Sequence, residues 1–247
     1  MNKYLNIFQN IDKRNHDDNY IMNNGASNIL FIGGCRCYVL SIYFKKICEI
    51  IPWFAHAQYG ISVIGVHIVD FYKRDKTSNL TNTIENADII MCECIKHYSF
   101  LNTINTCEQN IYNNFNLKKG CKIIMIPNLE LRYYVNDILK NTEEDFIIEQ
   151  NKNLTKILDN CKKLNCIELS DYIEENIKKI RLFATHNHPT YYLFNILFKE
   201  MINNTFNYVL EDNIIEQLKE IKIFEIDANS TKIIELDYKL GLDRSII

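Results

Sequence analysis

The sequence predicts a three-layer α/β/α fold with a mostly parallel sheet of about five strands, followed by a C-terminal α/β extension. Two observations carry that expectation. Short β-branched apolar runs alternate with longer amphipathic stretches in the order β-α-β-α-β-α-β-α-β-α. The first run is continuous rather than alternating, as a strand buried on both faces requires.

Residues 28–33 (NILFIG) make the first strand, bracketed by Asn23-Asn24-Gly25 and Gly33-Gly34. A helix over 37–51 follows, with Val39, Leu40, Ile42, Tyr43, Ile47 and Ile50 at helical spacing and Pro52 as its stop. Residues 61–70 form a second strand, 75–86 a short helix and 87–91 a third strand. The spacing predicts a helix over 107–116, ended by Lys118-Lys119-Gly120, and a fourth strand over 122–127. Helices over 130–140, 143–164 and 168–177 precede a fifth strand at 180–184. A helix over 189–202 then has Pro189 at or near its first position. The tail reads as a helix over 210–221 and strands over 222–227 and 231–240. The expected organisation is an N-terminal helix and loop (1–27), an α/β domain (28–203) and an extension packing on it (204–247).

Composition narrows the function. The 247 residues carry 28 Lys+Arg against 31 Asp+Glu, a net charge of −3, which argues against sequence-independent nucleic-acid binding. A local basic pocket for a phosphorylated ligand remains compatible with it. The longest apolar stretches, 28–34 and 61–69, fall far below the roughly 20 residues of a membrane span. The N-terminus lacks the apolar run and cleavage site of a signal peptide. The expectation is a cytoplasmic protein with nine reduced thiols. Heavy use of Asn, Ile and Lys marks AT-rich coding DNA, as in some microbes and large DNA viruses; for a virus the compartment would be the host cytoplasm.

Two segments carry candidate chemistry. In Gly33-Gly34-Cys35-Arg36, between strand and helix, the glycines let backbone approach a ligand. A thiol there feels the positive end of a helix dipole, which lowers its pKa. Cys35 is thus a candidate nucleophile or ligand-positioning group; a tight turn with a buried thiol fits the spacing equally. The turn is neither a P-loop nor a dinucleotide fingerprint. In Thr185-His186-Asn187-His188-Pro189 two of the six histidines lie between a strand and a helix, where imidazole can serve as a general base. The alternative is a capping turn. His56, His67 and His97 read as ordinary polar residues, although Glu93 and His97 follow the third strand, where either could reach the cleft. Cys35-x-Cys37, Cys92-x-Cys94 and Cys161-x4-Cys166 lack zinc-knuckle spacing, so no metal is expected, although Cys92 and Cys94 share a strand face.

A first strand ending in Gly-x-Cys-x, a middle strand opening with Ala87-Asp88, a strand ending at Ile126-Pro127 and a late Asn187-His188-Pro189 together resemble the WcbI-like polysaccharide-biosynthesis acetyltransferase family over about residues 28–203. That family's first motif usually reads Gly-Asn-Cys-Gln, so Gly34 and Arg36 depart from it here. The resemblance implies an acetyl-coenzyme A-dependent transferase acting on a sugar or nucleotide sugar. In it Gly33, Gly34 and Cys35 line the cleft, and Asn187 and His188 face them. His186 or His188 would be the base, with Cys35 either shaping the pocket or accepting the acetyl group. Arg36, Lys118, Lys119 and Arg132 are candidate cations for the cofactor's phosphates. Tyr133-Tyr134 and Tyr191-Tyr192 are candidate ring neighbours or packing pairs. The competing functions are a carbohydrate esterase or deacetylase of the Gly-Asp-Ser class, with Cys35 in the Ser place, and a non-catalytic binding protein. Homo-oligomerisation is compatible with all three.

Overall fold

Residues 29–32 can satisfy their backbone only by pairing on both sides, because their side chains are apolar on both faces of a strand. In the computed structural model they do so. The structure describes residues 27–51, 61–67, 71, 79–94, 107–129, 143–163, 165–177, 179–180, 182–185 and 188–218. Strand β1 (Ser27–Gly33) runs from an exposed Ser27 to four consecutive fully buried residues, Ile29 to Ile32. On one side it pairs in parallel with β2 (Ile61–His67), in a register running from Ser27 against Ile61 to Gly33 against His67. On the other side lies β3 (Ile89–Glu93), where Asp88 N–H donates to Asn28 O at 2.9 Å. β4 (Lys122–Ile126) follows, tied to the start of β3 by Lys122 N–H to Asp88 O and to its end by Cys94 N–H to Ile126 O. The four-stranded parallel sheet has the order β2-β1-β3-β4.

The helices obey their apolar periods. α1 (Cys35–Ile50) buries Cys37, Leu40, Phe44 and Ile47 on one stripe, with Val39 and Tyr43 beside it. It begins two residues ahead of the periodic pattern, directly after Gly34, because a first turn need not repeat the apolar spacing. α2 (Asn79–Glu85) and α3 (Cys107–Asn114) bury Leu80, Ile84, Cys107 and Ile111, and α3 ends two residues before its expected stretch. α4 (Glu143–Cys161), α5 (Ser170–Asn176), α6 (Tyr191–Phe206) and α7 (Asp212–Leu218) complete the described helices.

Two expectations are corrected. The fifth run does not join the parallel sheet. Instead β5 (Phe183–Thr185) pairs antiparallel with β6 (His188–Pro189), and Leu182 O is taken by Thr190 N–H at 2.8 Å. Beside β4 runs the segment around Cys166, which meets Met125 as a parallel bridge. Pro189 does not start the following helix, since it belongs to β6; Thr190 is the N-cap and Tyr191 the first helical residue. The expected helix over 130–140, the N-terminal segment before Ser27 and the tail strands lie outside the described residues.

The described elements fall into two units. The first holds β1, α1, β2, α2, α3 and the starts of β3 and β4. Its core includes the rings of Phe31 and Phe44, both fully buried with centroids 6.0 Å apart. The second holds the ends of β3 and β4 together with α4, α5, β5, β6 and α6. There α6 buries Leu193, Phe194, Leu197, Phe198, Met201 and Ile202, and it stops at Asn207, whose left-handed backbone (φ 52) donates to Asn203 O.

Truncating Phe31 to Ala removes a ring from a closed core and should destabilise the protein by about 3–5 kcal/mol. Val209→Ala, at a residue 74% exposed, should stay within about 0.5 kcal/mol of the parent. Urea midpoints for the two variants check both expectations.

Candidate active site at the carboxyl edge of the sheet

In an open parallel sheet the ligand crevice forms beyond the carboxyl ends of the strands, where the strand order reverses direction. The order β2-β1-β3-β4 puts that switch point between β1 and β3. β1 ends there in Gly33. Gly34 is the N-cap of α1, extended at φ −73 and ψ −165 and with no side-chain cap hydrogen bond. A 16-residue helix therefore opens directly from the strand end, with its positive dipole end at the turn. The backbone of Cys35 occupies the first helical position. The register sets His67, the last residue of β2, level with Gly33 at the same edge. The sequence places His67 inside a strand over 61–70 as an ordinary polar residue; the register with β1 is what brings it level with Gly33.

Arg36 is unusual in this position. It is 7% exposed and lies in the first turn of α1, a turn without an acidic residue. The macrodipole disfavours a cation there, and burial disfavours it again. Both penalties call for negative charge near Arg36, whether from the protein, a ligand or both. A second buried ionisable residue, Glu93, ends β3 and is 1% exposed.

The lysines fall elsewhere. Lys118 and Lys119 precede β4, so they sit at the amino edge of the sheet, while Gly33 to Arg36 follow β1 at the carboxyl edge. Seven residues of strand separate the two edges by about 20 Å. Lys118 Nζ is 2.5 Å from Asp88 Oδ1, and Asp88 Oδ2 accepts from Asn28 N–H at 2.9 Å. Lys119 is exposed in the turn that Gly120 closes with φ +88. The expectation that Lys119 shares a phosphate site with Arg36 is therefore corrected. Asp88, read with Ala87 as the opening of a strand, ties the amino ends of β1 and β3 to Lys118.

Arg132, His186 and Asn187 lie outside the described residues, as do Tyr133, Tyr134, His56 and His97. The backbone of His188 pairs with Thr185 in β6, and its side chain, like those of Cys35 and His67, lies outside the description. Tyr191 and Tyr192 meet edge to face with centroids 5.9 Å apart.

Four thiols away from this turn are held towards their protonated form. Burial pushes Cys48 up to about 11 and Cys161 up to about 12, the latter aided by nearby Glu168. Cys166 is raised by a hydrogen bond with Cys94 and then by burial, and Cys121 by burial. Cys94 Sγ also lies 3.9 Å from Met125 Sδ, so Cys94, Met125, Cys161 and Cys166 gather into one sulfur-rich cluster. Among the described residues no group of three or more His, Cys, Asp or Glu could hold a metal ion. Also among them, no helix is long and apolar enough to cross a membrane.

No protein-family model matches the sequence, and no curated protein matches it. Among solved structures the chain is similar to WcbI, described as a novel polysaccharide biosynthesis enzyme, in its native form without a disulfide between coenzyme A and one of its own cysteines. The two share 14% identity and a TM-score of 0.48, over 77% of this chain and 72% of that one.

The thiol shifts have a definite pH consequence. Unfolded thiols ionise from the ordinary value of 9.0, whereas native Cys161 holds its proton to about 12. In that window the native state binds more protons, so stability is intact below 9.0 and falls as pH rises towards about 12. Urea midpoints measured across the window should decline, and Cys161→Ala should flatten the slope. At neutral pH maleimide should modify Cys48 and Cys161 far more slowly in the native protein than in urea.

Proposed function

We propose that the protein is a coenzyme A-dependent acetyltransferase acting in the cytoplasm on a sugar of surface-glycan biosynthesis. The acceptor is a hydroxyl or an amine, such as that of a nucleotide-linked amino sugar. The observation that carries this reading is the turn Gly33-Gly34-Cys35-Arg36, at the buried end of β1 and at the switch point of a parallel sheet. Glycine at two successive positions leaves room for a thioester against backbone. The positive end of the α1 dipole and the buried Arg36 favour a polyanionic cofactor. Asn187 would help to hold the cofactor in the cleft, and Arg132 is a further candidate for its phosphates. The order of this turn and the later Asn187-His188-Pro189 along the chain supports the same family reading.

In the proposed reaction His186 or His188 takes the proton of the acceptor O–H or N–H as the acceptor attacks the thioester carbonyl. The N–H groups of Gly34 and Cys35 stabilise the tetrahedral oxyanion. The C–S bond then breaks, and the imidazolium returns the proton to the departing coenzyme A thiolate. Direct transfer is favoured over an acetyl-Cys35 intermediate, because exchanging one thioester for another gains little energy.

Coenzyme A at a hundredfold excess over its dissociation constant should stabilise the protein by about 2.7 kcal/mol, visible as a raised melting temperature. Absence of any shift at millimolar cofactor overturns the proposal. Turnover of acetyl-coenzyme A with an amino-sugar nucleotide should survive in Cys35→Ala. It should drop about 10²–10⁴-fold in kcat when the catalytic histidine becomes Gln. Hydrolysis of an aryl acetate without transfer to sugar would identify an esterase instead.

A further inference from the structure

Helix α6 carries a buried polar group that the proposed chemistry leaves idle. Asn195, in the second turn, is 6% exposed, and its Oδ1 is buried without a hydrogen-bond partner. An amide is a poor choice for such a place, since an apolar residue of similar volume would pack there at no polar cost. Helical Cα–Cβ bonds tilt towards the amino terminus, so the Asn195 side chain leans over the turn that holds Tyr191 and Tyr192. Those rings lie four and three positions earlier, where side chains on a helix are neighbours. Tyr192 is 40% exposed, and its edge-to-face contact with Tyr191 holds the pair together. Tyr172 on α5 is close by: burial, and then the proximity of Tyr192, raise its phenol, so it remains a neutral O–H donor at physiological pH. An accessible aromatic ring beside a desolvated, unsatisfied acceptor and a neutral phenol is the chemistry that takes a polyhydroxylated ring.

We propose that the amino end of α6 is a sugar subsite, in which Asn195 Oδ1 accepts a hydrogen bond from a ligand hydroxyl or amide N–H and Tyr192 packs against the ring. That the ligand is a sugar rests on the proposed function; the subsite itself rests on Asn195 and the aromatic group. Direct binding of UDP-N-acetylglucosamine and of free N-acetylglucosamine to the full chain, followed by calorimetry or ligand-observed NMR, tests it. The wild type should bind at least one of these probes. Asn195→Leu should weaken that binding roughly tenfold while melting no lower than the wild type. Tyr192→Ala, at a half-exposed residue, should weaken it as well and guards against a folding defect in the first variant. Coenzyme A binding should be unchanged in both. Equal sugar affinity in wild type and variants, or no binding of either probe to the wild type, overturns the subsite. A missing coenzyme A shift overturns the proposed function alone, because sugar binding is read independently of it.

Discussion

A strand with apolar side chains on both faces cannot leave its backbone to water, and this constraint organises everything else in the sheet. β1 buries Ile29 through Ile32 completely, so its N–H and C=O groups need a neighbouring strand on each side. β2 and β3 supply them. Since both neighbours run parallel to β1, each connection must return the chain to the amino edge, and α1 does this directly after β1. The abrupt change from ladder to helix at Gly33-Gly34 is thus a consequence of burial. A turn this short sets the positive end of a helix dipole directly at the end of a buried strand.

The elements themselves were legible because each has a single period. Residues 28–33 cannot be amphipathic in any register, and the apolar positions of 37–51 repeat with the helical spacing of α1. Strand order was not legible, because nothing local to β3 or β4 states which neighbour it takes. The fate of residues 180–184 was hidden for a related reason. A short apolar run reads the same in a sheet interior and in a hairpin, and the hydrogen bond from Thr190 to Leu182 that decides between them is a tertiary fact. The gathering of Cys94, Met125, Cys161 and Cys166 depends likewise on positions far apart in sequence.

At the candidate site, Lys119 and Arg36 both lie at strand ends, yet Lys119 precedes its strand and Arg36 follows one. In a parallel sheet that distinction alone assigns them to opposite edges. His67 was not legible in the same way, because the sequence extends its strand to residue 70 and the register alone sets it level with Gly33. Asp88 does follow the edge rule: it lies before β3, and it secures the amino edge through Asn28 and Lys118.

Charge gives the deepest reason to look for chemistry at the α1 turn. The chain as a whole carries −3, so it repels a polyanion at long range, and any attraction must be local. A surface lysine paired with a carboxylate, as Lys118 is with Asp88, offers little, because its field is already compensated and screened by solvent. Arg36 differs in its burial. It is withdrawn from water, where its field is less screened, and the backbone dipoles of α1 add to it instead of cancelling it. Two unfavourable placements for a cation in the unliganded protein become favourable ones beside a negatively charged group.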